Sequence, residues 1–314
     1  MSEMNKEKNF ISAVIYVHNA EKQITDFLRI VATVLETNFV KSEIICVNDF
    51  SDDNSVDKIK SISKAFTKTC ISILNMSYFH GVEVAMTAGV DLAIGDFVFE
   101  FDSTVLDFDK EEIMTVYRKS LEGFDIVSAS PNKTKRKSSR MFYSIFNRFS
   151  RLHYKMTTER FRILSRRVIN RISAMNKTMP YRKPVYAACG LKTTNLVYKV
   201  TANIKDTEDS FTRKYRKTLA EDSFIIFTDL GYRVSMLITS VMLVFTVGVG
   251  VYSLVFKFLR NPVPGWTSTI LFLSVSMFFV FMILTIVLKY LQILVNLVFR
   301  KSRYNFESIE KLTK

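Results

Sequence analysis

Two runs without a single charge constrain this chain most: 234–256, VSMLITSVMLVFTVGVGVYSLVF, and 267–288, TSTILFLSVSMFFVFMILTIVL. Each exceeds the roughly 20 residues that a helix needs to cross a bilayer. Buried core helices are the alternative, but neither run has a polar face to turn outward. They read as a transmembrane hairpin, reversed at KFLRNPVPGW, where prolines and a glycine end one helix and turn the chain. Trp266 falls at headgroup level, where its amphipathic ring is favoured. Arg233 precedes the first run and Arg300, Lys301 and Arg303 follow the second, against Lys257 and Arg260 in the connecting loop. That bias, with a charged body and no signal peptide ahead of the runs, predicts a multi-pass inner- or plasma-membrane protein. Both termini and the body are expected on the cytoplasmic side.

The net charge of +14 is local. Residues 131–183 hold 16 Lys/Arg and one acid, Glu159, so the remainder sums to −1. Nucleic acid is one partner for such a block, and a solvated surface helix is another reading. The spacing favours a third: RMFYSIFNRFSRL sets Met141, Phe142, Ile145, Phe146 and Phe149 on one side and Arg140, Arg148 and Arg151 towards the other. That is a basic amphipathic helix suited to an anionic membrane surface. Nucleic acid is therefore not expected as a partner. Cys46, Cys70 and Cys189 lie in apolar runs without metal spacing, as reduced core cysteines do.

The first half alternates strand and helix patterns. Apolar strands are expected at 11–18, 43–48, 70–75, 96–101 and 124–129, with helices near 22–36, 55–66, 82–94 and 109–121. Continuous apolar strands separated by helices indicate an α/β fold, a parallel sheet covered on both faces. Ligands of such sheets bind beyond the carboxyl ends of the strands. There the chain places His18, Asn19 and Glu21, then NDFSDDNS from Asn48, then YFHG, then DSTVLD from Asp102. A lone acid at a strand end is commonly a helix N-cap, and Asp49 alone fits either role. Repetition at successive strand ends points to a nucleotide site. No Gly-rich phosphate loop is present, against dinucleotide or P-loop binding.

These residues resemble the family 2 glycosyltransferases of the GT-A fold. Within them they are similar to the polyisoprenyl-phosphate glycosyltransferases, the group that includes dolichol-phosphate mannose synthase. The resemblance rests on AVIYVHNAE, EIICVNDFSDDNS, GVEVAMTAGVDLAIGDFVFEFDSTVLD, RFRILSRRVINRI and NPVPGWTS, and so runs through nearly the whole chain. It implies a GT-A core over 1–132, basic interfacial helices and an acceptor region over 133–232, two transmembrane helices over 233–299, and a tail over 300–314. The implied reaction moves a sugar, with inversion, from a nucleotide sugar (UDP-sugar ahead of GDP-sugar) to undecaprenyl or another polyprenyl phosphate. Low glycine and abundant Lys, Ile and Asn suggest a bacterial source, hence cell-envelope glycans. Small residues in VGVGVYS suit close helix packing and a homo-oligomer.

By position, the resemblance assigns Val17, Asn19, Glu21 and Asp49 to the donor. It places Asp102 at the diphosphate with Mg2+ or Mn2+, and Thr104 as a second, weaker ligand. Asp107 and Arg162 are expected near the reacting phosphates, and Arg160, Lys214 and Tyr215 at the acceptor phosphate. The chain also departs from the family. Thr104 replaces an acid, Arg160 stands where an acid is common, Phe50 replaces a glycine, and Phe79 and Val82 replace Asn and Lys. Two accounts follow. In one, cations take over charge stabilisation in an active enzyme. In the other, the chain is a catalytically degenerate, membrane-anchored binding or assembly partner.

Overall fold

The computed structural model describes residues 6–132, 157–174, 181–201, 265–299 and 304–313, with short pieces within 144–148, 215–221 and 234–248. The described elements run β1 (Ile11–Val17), α1 (Ile24–Asn38), β2 (Ser42–Asn48), α2 (Ser55–Ser63), β3 (Thr69–Met76), α3 (Val82–Leu92), β4 (Phe97–Phe101), α4 (Glu111–Leu121) and β5 (Ile126–Pro131). After these come β6 (Phe161–Ser165), α5 (Arg166–Ala174), α6 (Arg182–Ala188), β7 (Thr193–Tyr198), α7 (Trp266–Phe299) and β8 (Phe306–Lys311).

All eight strands form one sheet in the order β7-β5-β6-β4-β1-β2-β3-β8. Its centre is parallel, as expected, with β1 between β2 and β4 and β2 beside β3. Two strands that the sequence reading did not include make the flanks mixed. β6 runs antiparallel to β4 and β5, and β8 runs antiparallel to β3. All seven residues of β1 are buried. Alternate side chains of β1 enter opposite layers, as a pleated strand requires. Ile11, Ala13, Ile15 and Val17 pack with Phe27, Leu28, Val31 and Leu35 of α1 and with Ile113 and Val116 of α4. Val14 and Tyr16 pack with Ala85, Met86 and Ala88 of α3, Val168 of α5 and Tyr186 of α6. Each fully buried Leu, Ile or Phe contributes roughly 1.5–3 kcal/mol.

Helix α3 lies very close to the sheet. A Cβ added at Gly89 would meet Val14 Cγ1 at 2.4 Å and Val47 Cγ2 at 2.6 Å, so any larger residue must displace a valine. At the sheet edge, the stretch read as a tail supplies β8. Asn75 Nδ2 donates to Ser308 Oγ at 3.0 Å and Glu310 Oε1 at 3.1 Å, and Lys60 pairs with Glu310 at 2.6 Å. An edge strand carrying charges is also protected from pairing with other chains.

The chain divides into two compact units. The first comprises Met1–Arg148, Leu152–Ala220 and Lys301–Lys314, and the second Phe149–Arg151 and Glu221–Arg300. Most of the run at 234–256, most of its turn and most of the basic amphipathic helix lie outside the described residues. The run at 267–288 falls within α7, which is 34 residues long. Among the described residues, no helix is long and apolar enough to cross a membrane.

Candidate active site

Parallel register brings the carboxyl ends of β1, β2 and β3 level: Val17 lies opposite Asn48, and Asn48 opposite Asn75. Phe101, the last residue of β4, lies opposite Ile15, so Asp102 emerges beside the β1 turn. Two polar constellations occupy these ends.

The first is built on β4. Antiparallel pairing with β6 sets Arg162 directly across from Glu100. Arg162 Nη1 donates to Glu100 Oε2 at 2.8 Å, Nη2 to Asp102 Oδ2 at 2.7 Å, and Nε to Glu159 Oε2 at 3.1 Å. From α6, Arg182 Nη2 donates to Asp102 Oδ1 at 2.6 Å, Nε to Glu83 Oε2 at 3.1 Å, and Nη1 to Glu100. Tyr186 OH donates to Glu100 Oε1 at 2.7 Å, and its ring lies 5.4 Å from the Arg162 guanidinium carbon. Arg162 and Glu100 are wholly buried, whereas the Asp102 side chain keeps 18% of its surface exposed.

Burial opposes a charged Asp102, but Arg162, Arg182 and Lys183 together hold its carboxyl well below the usual range. Burial also works against both guanidiniums, yet Asp102 and Glu100 raise them well above the ordinary arginine value. Four carboxylates thus face two guanidiniums, and each guanidinium would still have other carboxylate partners if Asp102 lost its charge.

A second pair lies close in sequence. Arg160 grips Asp107 through Nη2 at 2.6 Å and Nε at 3.0 Å to Oδ2, and Tyr198 OH donates to Oδ1 at 2.8 Å. Burial and then Asp107 push the Tyr198 phenol far above its ordinary value.

The second constellation lies at the ends of β1 to β3. Asp49 is buried and accepts from His80 N at 2.8 Å, Gly81 N at 2.8 Å and Tyr16 OH at 2.9 Å. Burial raises the Asp49 carboxyl despite these bonds. Gly81 has φ +83°, and a Cβ there would lie 2.1 Å from Tyr215 Cζ, so both backbone and neighbour demand glycine. Asn19 N donates to Ser51 Oγ at 3.2 Å, Asp52 N donates to Asn19 Oδ1 at 2.9 Å, and Glu21 N donates to Asp53 Oδ2 at 2.9 Å. These bonds tie the β1 and β2 turns together.

Most of the expected site residues are engaged with one another. Arg162 is sealed in the network rather than open to phosphates. Asp49 is spent on the β3–α3 turn rather than presented to a base or ribose. Val17 is buried, and its carbonyl accepts from Asp49 N at 2.8 Å. Arg160 and Asp107 hold each other rather than standing open at the acceptor. Tyr215 rests on Gly81 and edge-on to Phe79 at 5.8 Å, beside the ends of β2 and β3. Lys214 lies outside the described residues. Asn19 and Glu21 do sit at the strand ends, where the donor was expected.

The two expected metal ligands are likewise engaged. Both oxygens of Asp102 are taken by arginines, and Thr104 Oγ1 donates to Gln23 Oε1 at 3.3 Å. Among the described residues, no group of three or more Asp, Glu, His or Cys side chains stands ready to hold a metal ion. Mg2+ is held by one or two carboxylates together with waters and substrate phosphates, and Asp102 is the carboxylate that would serve here. Sequence reasoning passed over Glu83, Glu100, Arg182 and Tyr186. Glu100 carried a signal, since an acid inside the apolar strand FVFEF needs a buried partner.

In an α/β sheet of this kind, the polar turns gathered at the carboxyl ends of the central strands are where ligands bind. The sequence model of glycosyl transferase family 2 matches residues 12–177, and the chain belongs to that family. It is 29% identical over 194 residues to an uncharacterised glycosyltransferase of Synechocystis sp., covering 60% of each chain. It is 27% identical over 277 residues to the bactoprenol glucosyl transferase of Shigella phage SfV, covering 84% of this chain and 88% of that one. The chain spans about three fifths of the length of relatives from Synechocystis, Bacillus subtilis and Escherichia coli, at 60%, 59% and 62%. Among solved structures, a Pyrobaculum calidifontis mannosyltransferase in complex with GDP-Man and Mn2+ aligns at TM-score 0.48 and 12% identity, over 70% of this chain and 63% of that one.

Proposed function

We propose that this chain transfers a sugar from a nucleotide-sugar donor, UDP-linked ahead of GDP-linked, to a polyprenyl phosphate at a membrane surface. One observation carries the acceptor assignment. The alignment with the bactoprenol glucosyl transferase of phage SfV covers 84% of this chain, well beyond the 166 residues of the family match at 12–177. The similarity therefore includes sequence outside the sheet core.

In the proposed reaction, a phosphate oxygen of the acceptor attacks the anomeric carbon of the donor sugar. The new carbon–oxygen bond forms as the bond to the nucleoside diphosphate breaks, and configuration inverts. The acceptor is anionic at neutral pH, so no strong general base is needed. The remaining tasks are alignment and screening of the leaving diphosphate. Asp102 is the exposed member of the buried network, and Arg162 and Arg182 hold it in one orientation. Asp102, with Thr104 beside it, would hold a divalent cation against the donor's diphosphate, where the ion would screen the leaving group.

The membrane reading rests on the sequence and on connectivity. The uncharged runs at 234–256 and 267–288 each exceed the roughly 20 residues that a spanning helix needs. The chain leaves the first unit after Ala220 and rejoins it at Lys301. Any crossing by the intervening segment is therefore repeated in reverse, as in a hairpin. A second reading, a binding partner without activity, draws on one observation: Asp102 and Asp107 are both engaged by arginines.

The test is transfer of labelled sugar from a panel of UDP- and GDP-sugars to undecaprenyl phosphate by detergent-solubilised protein. Lipid-linked product from one donor supports the transferase. Failure of every donor, beside a working relative, supports the binding partner.

A further inference from the structure

Phe50 is costly where it stands. Its φ is +56°, in the left-handed region that side chains avoid. Its side chain is 49% exposed, and it takes part in no ring contact among the described residues. Ring packing therefore does not explain the strain.

The backbone on both sides is tightly held. Asp49 N donates to Val17 O at 2.8 Å, and the Asp49 carboxylate is fastened by three donors. Ser51 N donates to Asn48 Oδ1 at 3.2 Å, and Ser51 Oγ accepts from Asn19 N at 3.2 Å. This turn forces a left-handed residue at position 50, for which glycine is the unstrained choice. Strain held this firmly is typical of ligand sites.

The surroundings say what ligand. Other flat rings crowd the same strand ends. His18 lies edge-on to Phe79 at 4.8 Å, and its Nδ1 is 2.7 Å from Asp49 O. Tyr78 stacks on His80 at 4.0 Å. An exposed aromatic on a firmly held turn, at the strand ends where these other rings also lie, suits a planar heterocycle.

We infer that Phe50 is the stacking platform for the base of a nucleoside diphosphate. The inference rests on the donor reading above and deepens it. Phe50 is a positioning residue: it sets where the base lies and so where the diphosphate enters, without touching the reacting atoms.

The test is calorimetric titration of the full chain in detergent with UDP and with GDP, for wild type, Phe50→Gly and Phe50→Tyr, beside thermal unfolding of each. Phe50→Gly relieves the strain, so it unfolds at a higher temperature. Yet it binds the preferred nucleotide roughly tenfold more weakly or worse, as loss of one base–aromatic stack implies. Phe50→Tyr retains binding. A more stable Phe50→Gly protein with wild-type affinity overturns the inference and leaves the donor reading intact. Absence of UDP and GDP binding by folded wild type overturns both.

Discussion

Arg162 stands directly across the β4–β6 ladder from Glu100 and reaches past it to Asp102, joining a strand interior to the strand end. The same two acids are held from α6 by Arg182. The conformation of Asp102 is thus governed by residues 60 and 80 positions away in sequence.

Removing Arg162 leaves buried Glu100 and Glu159 short of their compensating charge. Breaking a buried pair from one side costs roughly 3–5 kcal/mol. Arg162→Met is therefore expected to lower the unfolding temperature steeply or abolish folding, as read by thermal melts of the purified protein. A melt within error of wild type contradicts the network as described.

Acid sensitivity follows from Asp102. Its folded carboxyl lies below the ordinary carboxylate value, because the two arginines and Lys183 outweigh the opposing effect of burial. Its contribution is complete above the unfolded value of about 4 and is lost as pH falls towards the lower folded value. The gap in unfolding temperature between wild type and Asp102→Asn should narrow as pH drops from about 6 towards about 3. A constant gap over that range contradicts the assignment.

Gly89 tests the seat of α3. A methyl group there must displace Val14 or Val47. Gly89→Ala should lose about 1–3 kcal/mol by overpacking, even though alanine favours helix. Unchanged or raised stability in denaturant titrations contradicts this close approach.

Free metal should bind poorly. With Asp102 taken by arginines and Thr104 bonded to Gln23, Mn2+ titrated into nucleotide-free protein should show no saturable site in the micromolar range. A stoichiometric micromolar site contradicts the account of these side chains.

The sheet centre was legible because each central strand is a continuous apolar run closed by a polar turn. The expected first four strands match the observed ones to within a residue or two at each end. β8 was not legible, because FESIEK is half charged and half-exposed and gains its order from β3, more than 200 residues earlier. The direction of β6 was hidden for a similar reason: pairing partners, and not composition, decide parallel from antiparallel. Asp102 was readable from its place after β4. Arg182 and Glu83 were not, since their pairing is a tertiary contact without a local pattern. Phe50 was visible as a departure from glycine, and its strained φ gives that departure physical content.

The most direct measurement compares wild type with Asp102→Asn in sugar transfer to undecaprenyl phosphate. Folding of both is verified by melting, since each guanidinium in the variant keeps other carboxylate partners. The account predicts lipid-linked sugar from one nucleotide-sugar donor with wild type, and loss of that product with the folded variant. Equal product from both proteins, or none from a folded wild type with any donor, contradicts it.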